Sequence, residues 1–194
     1  AFFTDKGYEA CNHGVQVLGG HGFIREWGLE QLVRDAKIAQ IYEGTNGIQA
    51  QDFMVRKVSL DRDGLLELLF DEINQELGNG SQSELTNKLN AATQEAMAQF
   101  KETSDWVKSS FADRGYEIQG GAVDYLHAAG LLVYAWMWLK MLNTLDSQED
   151  SLFVQRKKLA GEYFLSQCLP ELYRRCEKVK TGYKALLSAE SDLI

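Results

Sequence analysis

The sequence predicts an all-α fold, and three observations carry that reading. A single proline, Pro170, interrupts 194 residues, and interior proline is what breaks long helices. Apolar residues recur at three- and four-residue steps in one segment after another, the period of a helix face. Strict apolar–polar alternation, the mark of a half-buried strand, stands out nowhere along the chain.

Phe3 to Leu18 reads as the first helix, with Tyr8, Cys11, Val15 and Leu18 on one stripe. Gly19-Gly20-His21-Gly22 ends it. Those glycines fit a C-cap followed by a loop, and equally a place where backbone amides approach a phosphate; local residues alone leave both open. Trp27-Gly28 marks a turn, and Leu29 to Ile41 is predicted as a helix burying Leu29, Leu32, Val33 and Ala36. A third helix is expected from about Gly47 to Val58, and Leu60-Asp61-Arg62-Asp63-Gly64 marks a domain boundary. The predicted domains are 1–58 and 59–194.

In the second part, Leu65 to Leu77 carries the stripe Leu66, Leu69, Phe70, Ile73 and Leu77, as an amphipathic helix should. Gly78-Asn79-Gly80-Ser81 reads as a loop. Ser81 and Glu84 have the spacing of a capping box. The following helix is expected to reach Phe111, with Leu85, Leu89, Ala92, Ala96, Phe100, Thr103 and Val107 inward and a break over Ala112 to Gly121. Ala122 to Leu145 is the most hydrophobic helix. Its uncharged run, Tyr125 to Leu139, is shorter than the ~20 residues that span a bilayer, so it reads as the central helix of a bundle. Asp150 to about Ser188 is predicted helical with a break at Pro170, an apolar stripe of Tyr173, Cys176, Val179 and Tyr183, and a basic end including Lys184.

Composition excludes several classes. With 45% hydrophobic residues the chain can bury a core, which sets it apart from disordered sequences. A net charge of -8 disfavours nucleic acid. Three cysteines, Cys11, Cys168 and Cys176, form no C-x-x-C pair, so a reducing compartment fits better than a disulfide framework. His13, His21 and His127 have no metal-ligand spacing with them, and no metal site is predicted. The chain begins Ala1-Phe2-Phe3, in the middle of a helix and without methionine, and is expected to be part of a longer protein.

The chemistry concentrates in Ile41-Tyr42-Glu43-Gly44-Thr45-Asn46-Gly47-Ile48-Gln49. One carboxylate, Glu43, stands between an aromatic ring and a glycine, at the junction of two helices. Thr45 or Asn46 can cap the second helix and Gln49 can reach back in the manner of a capping box. A carboxylate placed there can act as a general base, or it can be a solvated turn residue.

Together, Gln16-Val17-Leu18-Gly19-Gly20-His21-Gly22, Arg34-Asp35-Ala36-Lys37-Ile38 and Tyr42-Glu43-Gly44-Thr45 closely resemble motifs of the acyl-CoA dehydrogenase family, over Ala1 to about Val58. The remainder is similar to the additional helical domain of large bacterial members. The resemblance implies the end of the catalytic C-terminal helical bundle followed by a second, up-and-down helical bundle. It implies oxidation of acyl-CoA to 2,3-enoyl-CoA, with FAD as hydride acceptor and Glu43 as the base that removes the α-proton. Tyr42 is then expected to contact substrate. Gln16, Val17, Gly20, Gly44 and Thr45 are expected to contact FAD, the first three on a cofactor held mainly by a partner subunit. Gly47 departs from the glutamine or glutamate common in the family. The resemblance further implies a homodimer and an electron-transfer flavoprotein as acceptor. A cytoplasmic location is expected, and the basic end (Arg174, Arg175, Lys178, Lys180 and Lys184) fits a solvated face, with a subunit contact or peripheral attraction to the inner membrane as the alternative. An isolated 194-residue piece is expected to be inactive. The competing expectations are an acyl-CoA oxidase, and a helical interaction module that retains vestigial motifs.

Overall fold

The computed structural model describes residues 1–78 and 83–183. All regular structure in them is helical. The chain divides into two compact units, Ala1–Asp52 and Phe53–Ile194.

The first unit is built on two antiparallel helices, α1 (Phe2–Leu18) and α3 (Leu29–Ile38). Leu29 lies against Gly14 near one end of the pair, and Lys37 sits over the Tyr8 ring near the other. Gly19, at φ 57, ends α1. The Gly-Gly-His-Gly stretch is not an open loop: Gly20–Phe23 closes one helical turn, α2. A 3-10 turn at Arg25–Trp27 ends at Gly28, which takes φ 73. The helix expected to reach Ile41 stops at Ile38, and successive turn bonds (Gln40 N–H to Lys37 O, Tyr42 N–H to Ile38 O) wind the backbone down into the next turn. Leu32, expected inside, is 50% exposed. On α3 the half-buried face is Leu29, Val33 and Ala36. Helix α4 spans Asn46–Asp52, and its backbone passes directly into a π-helical segment, Phe53–Ser59.

The second unit is an up-and-down bundle. Its elements are α5 (Leu65–Leu77), α6 (Glu84–Gln119), α7 (Ala122–Leu145), α8 (Leu152–Tyr163) and α9 (Glu171–Thr181), with a π turn at Phe164–Cys168 between the last two. Cross-helix bonds fix the directions. Asn90 Nδ2 donates to Leu77 O and Lys101 pairs with Glu67, so α5 and α6 run antiparallel. Thr86 Oγ1 donates to Asp146 at 2.7 Å, and Ser104 is hydrogen-bonded to Tyr125 at 2.7 Å, so α7 returns along α6. Lys180 reaches Glu102 and Tyr183 reaches Asp124, which lays α9 parallel to α6 and antiparallel to α7.

The core follows the expected stripes. Leu66, Phe70 and Ile73 of α5, Leu89, Ala96, Phe100 and Val107 of α6, and Leu132, Ala135, Leu139 and Leu142 of α7 are buried. At its centre Tyr125 stacks on Phe100 at 4.9 Å and on Phe53 at 5.5 Å, and Phe70 meets Phe100 edge-on. The Tyr125 hydroxyl, drawn in with its ring, keeps a partner in Ser104, as a buried polar group must.

The start of α6 differs from expectation, and two expected breaks take a definite form. Helix α6 starts at Glu84 with Ser83 as its cap, accepting from the Thr86 N–H. Glu84 is therefore the first helical residue and cannot be the third-position partner of a capping box; Ser81 itself lies outside the described residues. The break expected over Ala112 to Gly121 takes the form of a kink at Arg114 (φ -130, ψ 25), beyond which α6 resumes and runs to Gln119. The true corner is Gly120-Gly121, where a Cβ on Gly120 would stand 2.7 Å from Tyr183 Cβ and Cγ. Finally, the break expected at Pro170 is present: the stretch expected helical over 150–188 holds two helices, with Pro170 capping the second. Residues 184–188 of that expectation lie outside the described residues.

Tyr183 closes the bundle end. Asp124, buried at the start of α7, accepts hydrogen bonds from Arg175 Nη1 at 2.5 Å and from Tyr183 Oη at 2.6 Å. Burial first, and then the bond to this carboxylate, pushes the Tyr183 phenol up to about 12.

Candidate functional site

Glu43 lies where α3 has unwound and α4 has not begun. Its φ is 58, and among the described residues it is the only non-glycine with a positive φ. A side chain in the left-handed region costs roughly 1–2 kcal/mol. Such strain persists only where the surroundings over-determine it, and it clusters at functional positions. Gly44 follows at φ 89, which favours glycine. A Cβ there would also press to 3.3 Å from Gln49 Nε2.

Bonds from both sides hold the turn. Gln49, one turn into α4, donates from Nε2 to the Glu43 carbonyl at 2.7 Å. The expected capping box sends that bond to the carbonyl of Glu43 and not to a cap N–H. The Asn46 N–H donates to the Gln40 carbonyl at 3.1 Å and closes the loop at its neck. The Asn46 side chain turns away from a capping role: its Nδ2 donates to Asp5 Oδ1 at 2.6 Å and to Thr4 Oγ1 at 2.9 Å. Gln40 Nε2 donates to the same Asp5 Oδ1 at 2.6 Å. Lys37 Nζ donates in turn to Gln40 Oε1. Asp5, Gln40, Asn46 and Gln49 were not singled out as a set by the sequence. The bonds of Asp5 join residues 35 and 41 positions apart, beyond any local spacing rule.

Tyr42, Glu43, Gly44 and Thr45 all stand on the surface of the unit, Tyr42 at 57% exposure. The Glu43 N–H makes no hydrogen bond among the described residues. Ile41 and Ile48 are also exposed beside this turn. The turn thus presents a carboxylate, an aromatic ring and an N–H group to whatever covers it.

Gln16, Val17 and Gly20 are brought together at the far end of α1, all exposed. They are not brought to Glu43. The turn is tied to α1 at Asp5, and Gln16 lies roughly 17 Å further along the same helix at 1.5 Å per residue. Nothing within 4 Å would meet a Cβ on Gly20, so this end of α1 offers open backbone. An open polar depression on the same unit is lined by Arg25, Glu30, Gln31, Arg34, Asp35 and Ile38. Its mixed charges give no preference for an anion. No cluster of histidine, cysteine or carboxylate among the described residues could hold a metal, and no helix there is long and apolar enough to cross a membrane.

Two stretches of this helical chain match known families. Residues 1–57 match the family described as "Acyl-CoA dehydrogenase, C-terminal domain", and residues 69–190 match "Acetyl-CoA dehydrogenase C-terminal like". The chain belongs to the acyl-CoA dehydrogenase family. It is 32% identical over 196 residues to 3-methylmercaptopropionyl-CoA dehydrogenase of Ruegeria pomeroyi, covering 97% of this chain and 33% of that protein. It is 27% identical over 191 residues to the broad-specificity linear acyl-CoA dehydrogenase FadE5 of Mycobacterium tuberculosis, covering 92% of this chain and 31% of the relative. Among solved structures, an acyl-CoA dehydrogenase from Bacillus anthracis complexed with FAD shares the fold, with a TM-score of 0.50 and 19% identity, covering 94% of this chain and 31% of that one. The chain therefore spans about a third of the length of the curated relatives it matches.

Proposed function

We propose that this chain is the C-terminal part of an FAD-dependent acyl-CoA dehydrogenase in which Glu43 is the catalytic base. In this proposal residues 1–58 complete the catalytic helical domain and 59–194 form the appended one. The observation that carries the reading is the left-handed Glu43, a strained, exposed carboxylate held from both sides.

The chemistry follows from what the turn presents. An acyl-CoA α-proton leaves only if a base takes it and donors stabilise the enolate oxygen that develops. The Glu43 carboxylate takes the proton. The Glu43 N–H donates to the thioester oxygen. Because both groups belong to one residue, one backbone conformation sets base and donor together. Tyr42 and its exposed apolar neighbours wall the acyl chain and exclude water. Gly44 keeps the approach open, and Thr45, just before α4, would hold the cofactor through its hydroxyl.

FAD fits the second cluster. Open backbone at Gly20 and the exposed Gln16 and Val17 suit the adenosine–pyrophosphate part of a cofactor. Their separation from Glu43 suits contact with a flavin held mainly by a second subunit, in a homodimer. When bound, FAD supplies the acceptor for the β-hydride, and an electron-transfer flavoprotein takes the electrons onward.

The test is Glu43→Gln in the full-length enzyme. The variant should fold and retain FAD, while turnover falls about 10²–10⁴-fold; a rate near wild type removes Glu43 as base. The isolated 194-residue chain should purify without flavin, and flavin at unit stoichiometry would contradict a site completed elsewhere. Rapid oxygen consumption during turnover would assign the enzyme to the oxidases.

A further inference from the structure

We propose that Asp5 is a positioning residue for Glu43: its carboxylate ties together the two ends of the loop that holds Glu43 in its left-handed conformation. This rests on the reading of Glu43 as the base.

The loop is short and pinned at its neck. Gln40 and Asn46 flank residues 41–45, and both donate to one oxygen, Asp5 Oδ1, at 2.6 Å. A carboxylate acceptor makes such bonds roughly twice as strong as neutral ones. The Asn46 N–H to Gln40 carbonyl bond closes the same neck through the main chain. Thr4, beside Asp5, takes a further bond from Asn46. Gln40 is itself held by Lys37, whose ammonium sits 5.0 Å from the Tyr8 ring centroid. Both ends of the loop are therefore referenced to the first turns of α1.

Consider the loop without that anchor. The left-handed region is uphill for glutamate, so a free 41–45 segment relaxes toward ordinary backbone angles. Relaxation rotates the Glu43 side chain and N–H together, because they share one backbone. A misplacement on the order of 1 Å at a reacting group costs up to about 100-fold in rate. Asp5 does not touch substrate in this account. It sets turnover through Glu43 and leaves acyl-CoA binding, made by other parts of the enzyme, largely as it was.

The experiment uses the full-length holoenzyme with Asp5→Ala, Asp5→Asn and Glu43→Gln. Asp5→Ala should lower kcat about 10–100-fold with little change in KM. Amide exchange at residues 41–46 should rise at least about 10-fold, with α7 exchanging as before. Asp5→Asn keeps an acceptor oxygen and should restore most of both. Wild-type kcat in Asp5→Ala, alongside an inactive Glu43→Gln, overturns the positioning role. If instead Glu43→Gln is active, the base assignment fails. The clamp is then judged by exchange alone, and unchanged exchange at 41–46 overturns it. Should Asp5→Ala fail to fold, Asn46→Ala removes the other half of the clamp. It must give the same kcat and exchange pattern, or the proposal falls.

Discussion

The two units of this chain solve different problems with the same secondary structure. Residues 53–183 bury a continuous aromatic and aliphatic core, in which Phe100, Leu132, Leu139 and Leu172 have no exposed surface. In Ala1–Asp52 the buried apolar side chains shrink to Phe2 and Ala50, while Val17, Phe23, Trp27, Tyr42 and Ile48 are more than half exposed. Polar bonds around Asp5 do much of the organising there. One unit is shaped by the hydrophobic effect acting within itself. The other leaves several of its large apolar side chains at its surface.

Removing the centre of the larger core should have the greatest effect. Phe100→Ala takes away a ring stacked on Tyr125 and met by Phe70, and should cost about 3–5 kcal/mol in urea unfolding of the chain. A loss below about 1 kcal/mol would mean that the core collapses freely around the gap. Next comes Gly120→Ala, whose Cβ would stand 2.7 Å from Tyr183. Overpacking of that kind costs about 1–3 kcal/mol, and an unchanged melt would show that the end of α9 is free to step aside.

Tyr183→Phe is gentler and carries a pH signature. Losing the bond to Asp124 should cost about 1 kcal/mol near pH 8. The native phenol titrates at about 12, above its ordinary 10.0, so the folded state holds this proton more tightly than the unfolded one. Its contribution is complete below about pH 10 and is lost as pH rises toward about 12. Unfolding measured at pH 8 and pH 11 should show the gap between wild type and variant narrowing; a gap that widens contradicts the sign. The smallest effect belongs to the first unit. Val17 is 83% exposed, so Val17→Ser should shift the stability of this chain by no more than about 0.5 kcal/mol. A larger loss would show that this unit covers Val17 itself.

What the sequence made legible divides along the same line. Helix α7 was read at its observed ends, Ala122 and Leu145, because Gly120-Gly121 marks one end and the close of the apolar run marks the other. The inward residues of α5 and α6 followed from periodicity for the same reason. Arg114 shows the limit: the glycines marked a break between Ala112 and Gly121 but could not show that it is a kink at one residue, with helix resuming as far as Gln119. In the first unit, the Tyr-Glu-Gly-Thr motif drew attention to Glu43 but could not give its left-handed angle. Asp5 is, locally, one acidic residue in the first turn of α1. Its role depends on Gln40 and Asn46 arriving from a distant part of the sequence, and no periodicity encodes that meeting.

The π turn between α8 and α9 has a consequence for the length of the chain. Along this stretch the buried residues are Gly161, Phe164, Leu169, Leu172, Cys176 and Val179. Their steps are those of an ordinary helix except between Phe164 and Leu169, where the Leu169 N–H donates to the Phe164 carbonyl at 2.9 Å. One residue too many has been absorbed as a bulge, its surplus carried outward at the exposed Ser166 and Gln167. Loss of either residue would leave Phe164 and Leu169 an ordinary helical step apart, with the inner face still in phase. At this place the bundle tolerates a change of chain length by one residue, a tolerance that the tightly tied loop around Glu43 does not share.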